Sequence, residues 1–326
     1  MLYLYKMFLE RSKDMEKKEH MTSIGGSAVM EGVMMRGPKE IATAVRKPDG
    51  EIEIDKRAVS SLVTKYHVNK IPVVRGVFAF FDSMITSIRA LMWSAEFFDL
   101  EDEDAKESKF DKWLSDKFGD KVKDIVIYFS LFISVIFSVG LFFLIPNIIT
   151  GFLSDFIESN FIMTLIEGVV RISIFLGYVL LVSRMEDIKR VFQYHGAEHK
   201  TIFCYEAGLE LNVENARSMS RLHPRCGTSF LVFVMIVSIV LFSFISWENM
   251  WTRLGMRLLL LPVVAGISYE IIRWAGRSKS RIVCFISKPG MWLQNITTRE
   301  PDDNQLEVAI ASMKAVLTDN KEDDKW

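Results

Sequence analysis

The sequence is short of the residues that staple a secreted protein together. Only three cysteines occur in 326 residues, an odd number that argues for reduced thiols and against a disulfide framework. The net charge is -1, and no basic patch is interleaved with aromatics, so nucleic acid is excluded as an expected partner. The first twenty residues, MLYLYKMFLERSKDMEKKEH, start apolar but turn charged within ten. That run is too short for a secretory signal and no small-residue cleavage site follows it, so 1–22 is expected to be a loosely ordered extension. Histidine is scarce too, with five in the chain, yet three of the five lie between residues 195 and 226 together with two of the three cysteines.

What is abundant is apolar sequence in long runs. Residues 125–146 (IVIYFSLFISVIFSVGLFFLIP) and 228–246 (TSFLVFVMIVSIVLFSFIS) carry no charge, and each is close to the ~20 residues that cross a bilayer core as a helix. Two further runs, 162–182 and 254–272, contain Glu167 and Arg171, and Arg257 and Glu270. The fold class expected is therefore mainly α: a polytopic α-helical membrane protein with about four spans. Glu167 precedes Arg171 by four residues, the favourable order for a helical ion pair. The pair either simply makes these groups tolerable at membrane depth or marks a functional site.

Charge placement orients the spans. About residues 147–161 there are Asp155 and Glu158 but no Lys or Arg, whereas 183–227 holds Arg184, Lys189, Arg190, Lys200, Arg217, Arg221 and Arg225. The positive-inside rule then puts both termini and the 183–227 segment at the cytoplasmic side of a cell membrane.

The strongest chemical signal is HGAEHK at 195–200. His195 and His199, four apart, share one face of a helix and can share one metal ion, with Glu198 beside them as a base. This is the HxxEH order, the inverse of HExxH. Ile188, Val191 and Phe192 lead in helical phase into the motif, although Gly196 weakens the helix. A second polar cluster, HPRCGT, brings His223, Arg225 and Cys226. Glu206 is almost in phase with the histidines, but seven residues of helix place it about 10 Å beyond His199. His223 or Cys226, on a loop able to fold back, are better candidates to complete the site. Zinc is the expected cofactor, with Glu198 as the candidate catalytic residue and His195, His199, His223 and Cys226 as candidate metal ligands. Four protein ligands would make a closed structural site, and three would leave a position for water. The plainer alternative is that these histidines only hydrogen-bond at the membrane interface.

Cys226 stands just before Gly227 and Thr228, and Thr228 suits an N-cap, so a thiolate at 226 would be favoured by a helix N-terminus and by Arg225 and His223. Cys204 and Cys284 are expected to be structural thiols.

The rest of the chain supports this core. Residues 24–58 contain β-compatible runs at Ala28–Met35, Ile41–Arg46 and Glu51–Asp55, with a turn at Pro48, Asp49 and Gly50, predicting a small antiparallel meander. Within it Glu31 and Arg36 sit among methionines, which either fill a small core or underlie the site. Over 72–98, Arg75, Asp82, Arg89 and Glu96 recur every seven residues. They line one stripe of an otherwise apolar helix that suits the membrane surface or other helices better than a span. A charged connector follows up to residue 124. Asp302 or Asp303 can cap a helix over 304–317, with Leu306, Ala309, Ile310, Met313, Val316 and Leu317 as its apolar stripe. The domains expected are 1–22, 23–124, a membrane domain at 125–272 carrying the His/Cys loop at 183–227, and a cytoplasmic tail at 273–326.

Four stretches, GGSAVMEGVMMRGP (25–38), VVRGVFAFFDSM (73–84), YHGAEHKTIFCYE (194–206) and RLHPRCGTSF (221–230), together resemble the YqhQ family of bacterial membrane proteins, over nearly the whole chain after about residue 22. The resemblance implies a membrane architecture, a metal-dependent activity and importance for His195, Glu198, His199, His223 and Cys226. It implies no substrate. Three functions are consistent with the sequence: a zinc-dependent hydrolase acting on a peptide or lipid-linked substrate at the cytoplasmic membrane face; a non-enzymatic scaffold or membrane-protein assembly factor; and, less favoured, a small transporter using Glu167, Arg171 and Arg257. Membrane lipid is the expected partner, with another membrane protein or a second copy of the chain as alternatives.

Overall fold

The computed structural model describes residues 20–98, 122–153, 156–157, 159–244, 250–277 and 280–325. Most of the expected extension and the charged connector lie outside these residues, as do Asp155 and Glu158; nothing is described of the Cys284 side chain. The chain divides into two compact units. One comprises Met1–Phe98, Val179–Ser238 and Leu260–Trp326, the other Asp99–Tyr178 and Ile239–Leu259.

The first unit begins with an antiparallel meander in the order β1-β2-β3-β4, formed by Gly25–Val29, Gly32–Arg36, Glu40–Arg46 and Ile52–Ala58. The expected single run Ala28–Met35 is a hairpin of two strands. Val29 pairs with Gly32, so Met30 and Glu31 form the turn, and Glu31 adopts a left-handed φ of 48°. Such a turn usually advertises itself with Gly or Asn. Here long-range bonds hold it instead: Ser94 Oγ accepts from Met30 N–H at 3.2 Å, and Arg190 clasps the Glu31 carboxylate.

Both faces of the sheet are covered. Val33, Met35, Ala42 and Ala44 pack with Tyr194, Ala197, Leu306 and Met313 in one core, while Val29, Met34 and Val45 pack with Ala90 in another. Two-sided burial explains why β2, GVMMR, reads as an apolar run rather than an alternation. The helices responsible are α1 (Val74–Ala95) on the second face, and α5 (Glu186–Glu206) with α10 (Asp303–Val316) on the first. Of the two caps the sequence allows, Asp302 is the one used, in a capping box with Gln305. The β-rich segment and the tail helix thus share one core.

Among the described residues, three helices are long and apolar enough to cross a membrane: Phe132–Gly151, Phe161–Val182 and Leu254–Ala275. The first combines α2 (Val122–Val139), a π-helical turn at Gly140–Leu144 and α3 (Ile145–Gly151); the others belong to α4 (Asn160–Val182) and α8 (Met250–Arg277). The uncharged run 228–246, expected as the third of four spans, is instead α7, Gly227–Ser243, a shorter apolar helix of 17 residues. Phe129, Phe132, Ile136 and Phe137 of α2 are exposed, an arrangement costly in water and ordinary in lipid. In the second unit Arg171 donates to Glu167 at 2.7 Å and to the carbonyl of Phe142 at 2.9 Å, and Arg257 donates to the same carboxylate. Phe142 sits in the π-helical turn, which makes the accepting carbonyl available. The intrahelical pair expected from spacing is therefore part of a buried triad.

Candidate metal centre

The helix expected through HGAEHK is α5, joined through α6 (Val213–Arg217) and a loop to α7. Gly196 is required there for a reason other than helix propensity. A Cβ on it would lie 2.0 Å from the carbonyl oxygen of Arg299, so only glycine lets the chain after α9 (Arg281–Thr297) run against α5. That approach carries the first step of site geometry, because Thr297, the last residue of α9, presents its carbonyl to His195 Nδ1 at 2.9 Å. His199 Nδ1 likewise lies 2.6 Å from the carbonyl of Arg221. A carbonyl accepts only from N–H, so each neutral imidazole carries its proton on Nδ1 and presents the Nε2 lone pair.

The two rings and the Cys226 thiol come together. His195 Nε2 is 3.1 Å from Cys226 Sγ, the two histidine rings are 4.4 Å apart between centroids, and the ligand atoms of His195, His199 and Cys226 all fall within 4.8 Å of one another. His199 Nε2 is buried without a hydrogen-bond partner, a costly state for a polar atom unless something binds it. Two imidazoles tied back by carbonyls and one thiol form a donor set suited to a borderline-soft ion.

Cys226 sits one residue before α7, and its sulfur, rather than the Thr228 hydroxyl, faces the helix start. Thr228 N–H donates to Cys226 Sγ at 3.4 Å and Ser229 N–H to the Cys226 carbonyl at 3.1 Å. Cys204, by contrast, is fully buried, donates to the carbonyl of Glu210 at 3.4 Å, and has its thiol pKa pushed up by burial. It packs in the core, in keeping with a structural thiol.

His223 is not brought into the three-donor set. Its Nδ1 accepts from Arg225 N–H at 3.3 Å, which leaves the proton on Nε2, 3.7 Å from Glu206 Oε2. The lone pair a metal would need is already used. Glu206, too far along the helix to be a ligand, proves to be the buried anchor beneath: it accepts from Arg225 and, at 3.0 Å, from Thr22 N–H. Gln294 completes the support by accepting from His223 N–H at 2.8 Å and donating to the His223 carbonyl at 2.8 Å. Lys200, the last residue of the motif, donates to the carbonyls of Arg217 and Met219 at 3.0 and 2.7 Å, which fixes the loop carrying Arg221.

Glu198 is buried, with one carboxylate oxygen lacking a partner. Burial raises its pKa to about 6, against the opposing pull of His195 and a hydrogen bond from Gly26 N–H. It faces a cavity of about 380 Å³ whose walls also include His199, Cys226, Arg36, Arg225 and Tyr269. Arg36 thus reaches the site wall while paired with Asp82 at 2.5 Å. Glu31 is turned instead to Arg190 and to the Tyr194 hydroxyl at 3.2 Å. Glu206, Gln294, Arg221 and Gly26 were not singled out by sequence as supports of the site. Nothing local marks them, since each acts through a partner at least 19 residues away.

A family model described as a protein of unknown function (DUF1385) matches residues 71–319. The "Uncharacterized protein YqhQ" of Bacillus subtilis (strain 168) is 36% identical over 311 residues, spanning 93% of this chain and 95% of its own length. No solved structure matches. The chain therefore belongs to the DUF1385 family and is a YqhQ-type protein.

Proposed function

We propose that the protein is a zinc-dependent hydrolase of the cell membrane, with its reactive centre at the cytoplasmic face and both termini on that side. The observation that carries this reading is the convergence of ligand atoms of His195, His199 and Cys226, with His195 Nε2 3.1 Å from Cys226 Sγ, beside a buried carboxylate, Glu198. Three nitrogen and sulfur donors would hold a zinc ion while leaving room for water, the donor count of catalytic rather than structural zinc. The engagement of His223 by Arg225 and Glu206 favours three ligands over four. When bound, zinc supplies Lewis-acid polarisation of a carbonyl and acidifies water.

The chain's own residues do the rest. Thr297 and Arg221 fix the two imidazoles through their carbonyls, so that Nε2 of each stays aligned. Glu198, its pKa near 6, accepts a proton from the attacking water and returns it to the departing nitrogen or oxygen as the bond to the carbonyl carbon breaks. Tyr269 lines the same cavity from within the span Leu254–Ala275, which supports a peptide or lipid-linked substrate arriving along the membrane.

The test is hydrolysis of a fluorogenic peptide library by zinc-loaded protein in nanodiscs. Turnover falling ~100-fold in Glu198→Gln with zinc retained is the expected result, the scale of a lost general base. Undiminished turnover in that variant removes Glu198 from the chemistry. A zinc-loaded protein that neither cleaves peptide nor binds acetohydroxamate, a chelator needing an open metal position, returns the cluster to a structural role in a membrane scaffold.

A further inference from the structure

Helix α1 is apolar on the side it exposes. Gly76, Asp82, Ala90 and Ser94 are buried, whereas Val74, Phe81, Met84, Ile85, Leu91 and Met92 are exposed. Their spacing of three, four and seven residues makes one continuous stripe, the reverse of a water-facing helix. The buried side of α1 starts in backbone contact with α8. A Cβ on Gly76 would meet the Gly266 carbonyl oxygen at 2.8 Å, and one on Gly266 would meet that of Val73 at 2.4 Å. Gly266 lies within the apolar, membrane-length segment Leu254–Ala275, so α1 begins beside a helix long enough to cross a membrane.

A cavity of about 270 Å³ opens between α1 and β4, sharing only Thr86 with the walls of the metal-centre cavity, and Ile85 of the stripe is one of its walls. Arg57, Lys65, Arg89 and Ser60 form others. The charges there do not balance. Asp55 is taken by Arg57 at 2.6 Å and Asp82 by Arg36 at 2.5 Å, while Lys65 and Arg89 have no carboxylate within ion-pair distance among the described residues. Two uncompensated cations therefore border a pocket that runs out onto an apolar stripe.

We propose that this pocket binds the headgroup of an anionic phospholipid, with the acyl chains lying along Ile85, Phe81 and Met84. Lys65 and Arg89 donate to the phosphodiester oxygens, as basic groups at a membrane surface do. A cavity of this size takes the phosphate and a small polar head but not the acyl chains, which stay on the stripe. The apolar stripe selects a lipid over a soluble phosphate; the cations select its charge. The proposal stands apart from the hydrolase reading and survives if that reading fails.

Native mass spectrometry of the full chain, purified in mild detergent and offered phosphatidylglycerol and phosphatidylcholine in equal amounts, tests it. Wild type is expected to retain phosphatidylglycerol preferentially. Lys65→Gln and Arg89→Gln are each expected to weaken that binding about fivefold, the effect of one basic group near an anionic surface, and to leave phosphatidylcholine unchanged. Both side chains belong to exposed residues, so an unchanged melting temperature in lipid-free detergent and a retained preference in Lys65→Arg are expected alongside. Equal retention of the two lipids by wild type overturns the proposal, as does undiminished phosphatidylglycerol in both Gln variants. Displacement of the lipid by an equal concentration of inorganic phosphate overturns it in favour of a soluble ligand.

Discussion

His195 Nε2 and Cys226 Sγ lie 3.1 Å apart although 31 residues separate them in the chain. That contact exists because α5 and the start of α7 are drawn together by polar bonds beneath it, chiefly from Glu206, Gln294 and Lys200. Support and site are therefore separable by mutation, and the account can be tested at each.

Gly196→Ala raises intrinsic helix propensity by up to ~1 kcal/mol, yet the structure reverses the sign. The added Cβ would stand 2.0 Å from the Arg299 carbonyl oxygen, so α5 and the 297–301 segment must part, at a cost of ~1–3 kcal/mol or more. The carbonyl of Thr297 moves with that segment, and His195 loses its tether. A lower thermal midpoint together with weaker metal retention is expected; a variant as stable as wild type contradicts the close approach.

Glu206→Ala leaves the Arg225 guanidinium, nearly buried, without its carboxylate. Removing one partner of such a pair costs ~3–5 kcal/mol. The exposed pair Arg217 with Asp303 is the control, since both side chains are more than half exposed; Arg217→Ala should cost under ~1 kcal/mol. Denaturation midpoints in detergent separate the two, and similar losses for both variants would mean that Glu206 is not an anchor.

Arg75 grips Glu270 with two hydrogen bonds of 2.7 and 2.5 Å, and Glu270 also accepts from Val73 N–H at 3.3 Å. Val73 sits at a left-handed φ of 65°, an unfavourable state for a β-branched residue. Arg75→Glu is expected to destabilise the first unit through like-charge contact. The double variant Arg75→Glu with Glu270→Arg is expected to recover part of the loss, with a coupling of ~1 kcal/mol or more. No recovery in the melting temperature means the pair does not hold α1 in place.

Much of this organisation is legible in the sequence because it rests on local periodicity. The helix through His195 and His199, the capped helix at Asp302 and three membrane-length helices follow from spacing alone. The hairpin at Met30 and Glu31 does not, because its turn is held by Ser94 and Arg190 rather than by turn chemistry. Nor does the division of labour between His223 and Cys226. Both stand on the same loop with ligand chemistry, and which one turns to His195 depends on Arg225 N–H and Glu206, contacts no spacing rule encodes. Gly196 reads as a flaw in a helix until the chain that crosses it is known.

The most direct measurement of the central claim is metal content by mass spectrometry of the protein purified in mild detergent and offered zinc, compared across single variants. Near one zinc per chain in wild type and in His223→Ala, with loss in His195→Ala, His199→Ala and Cys226→Ser, is the result expected of a three-donor centre. Absence of zinc from wild type after loading, or its full retention in Cys226→Ser, contradicts it.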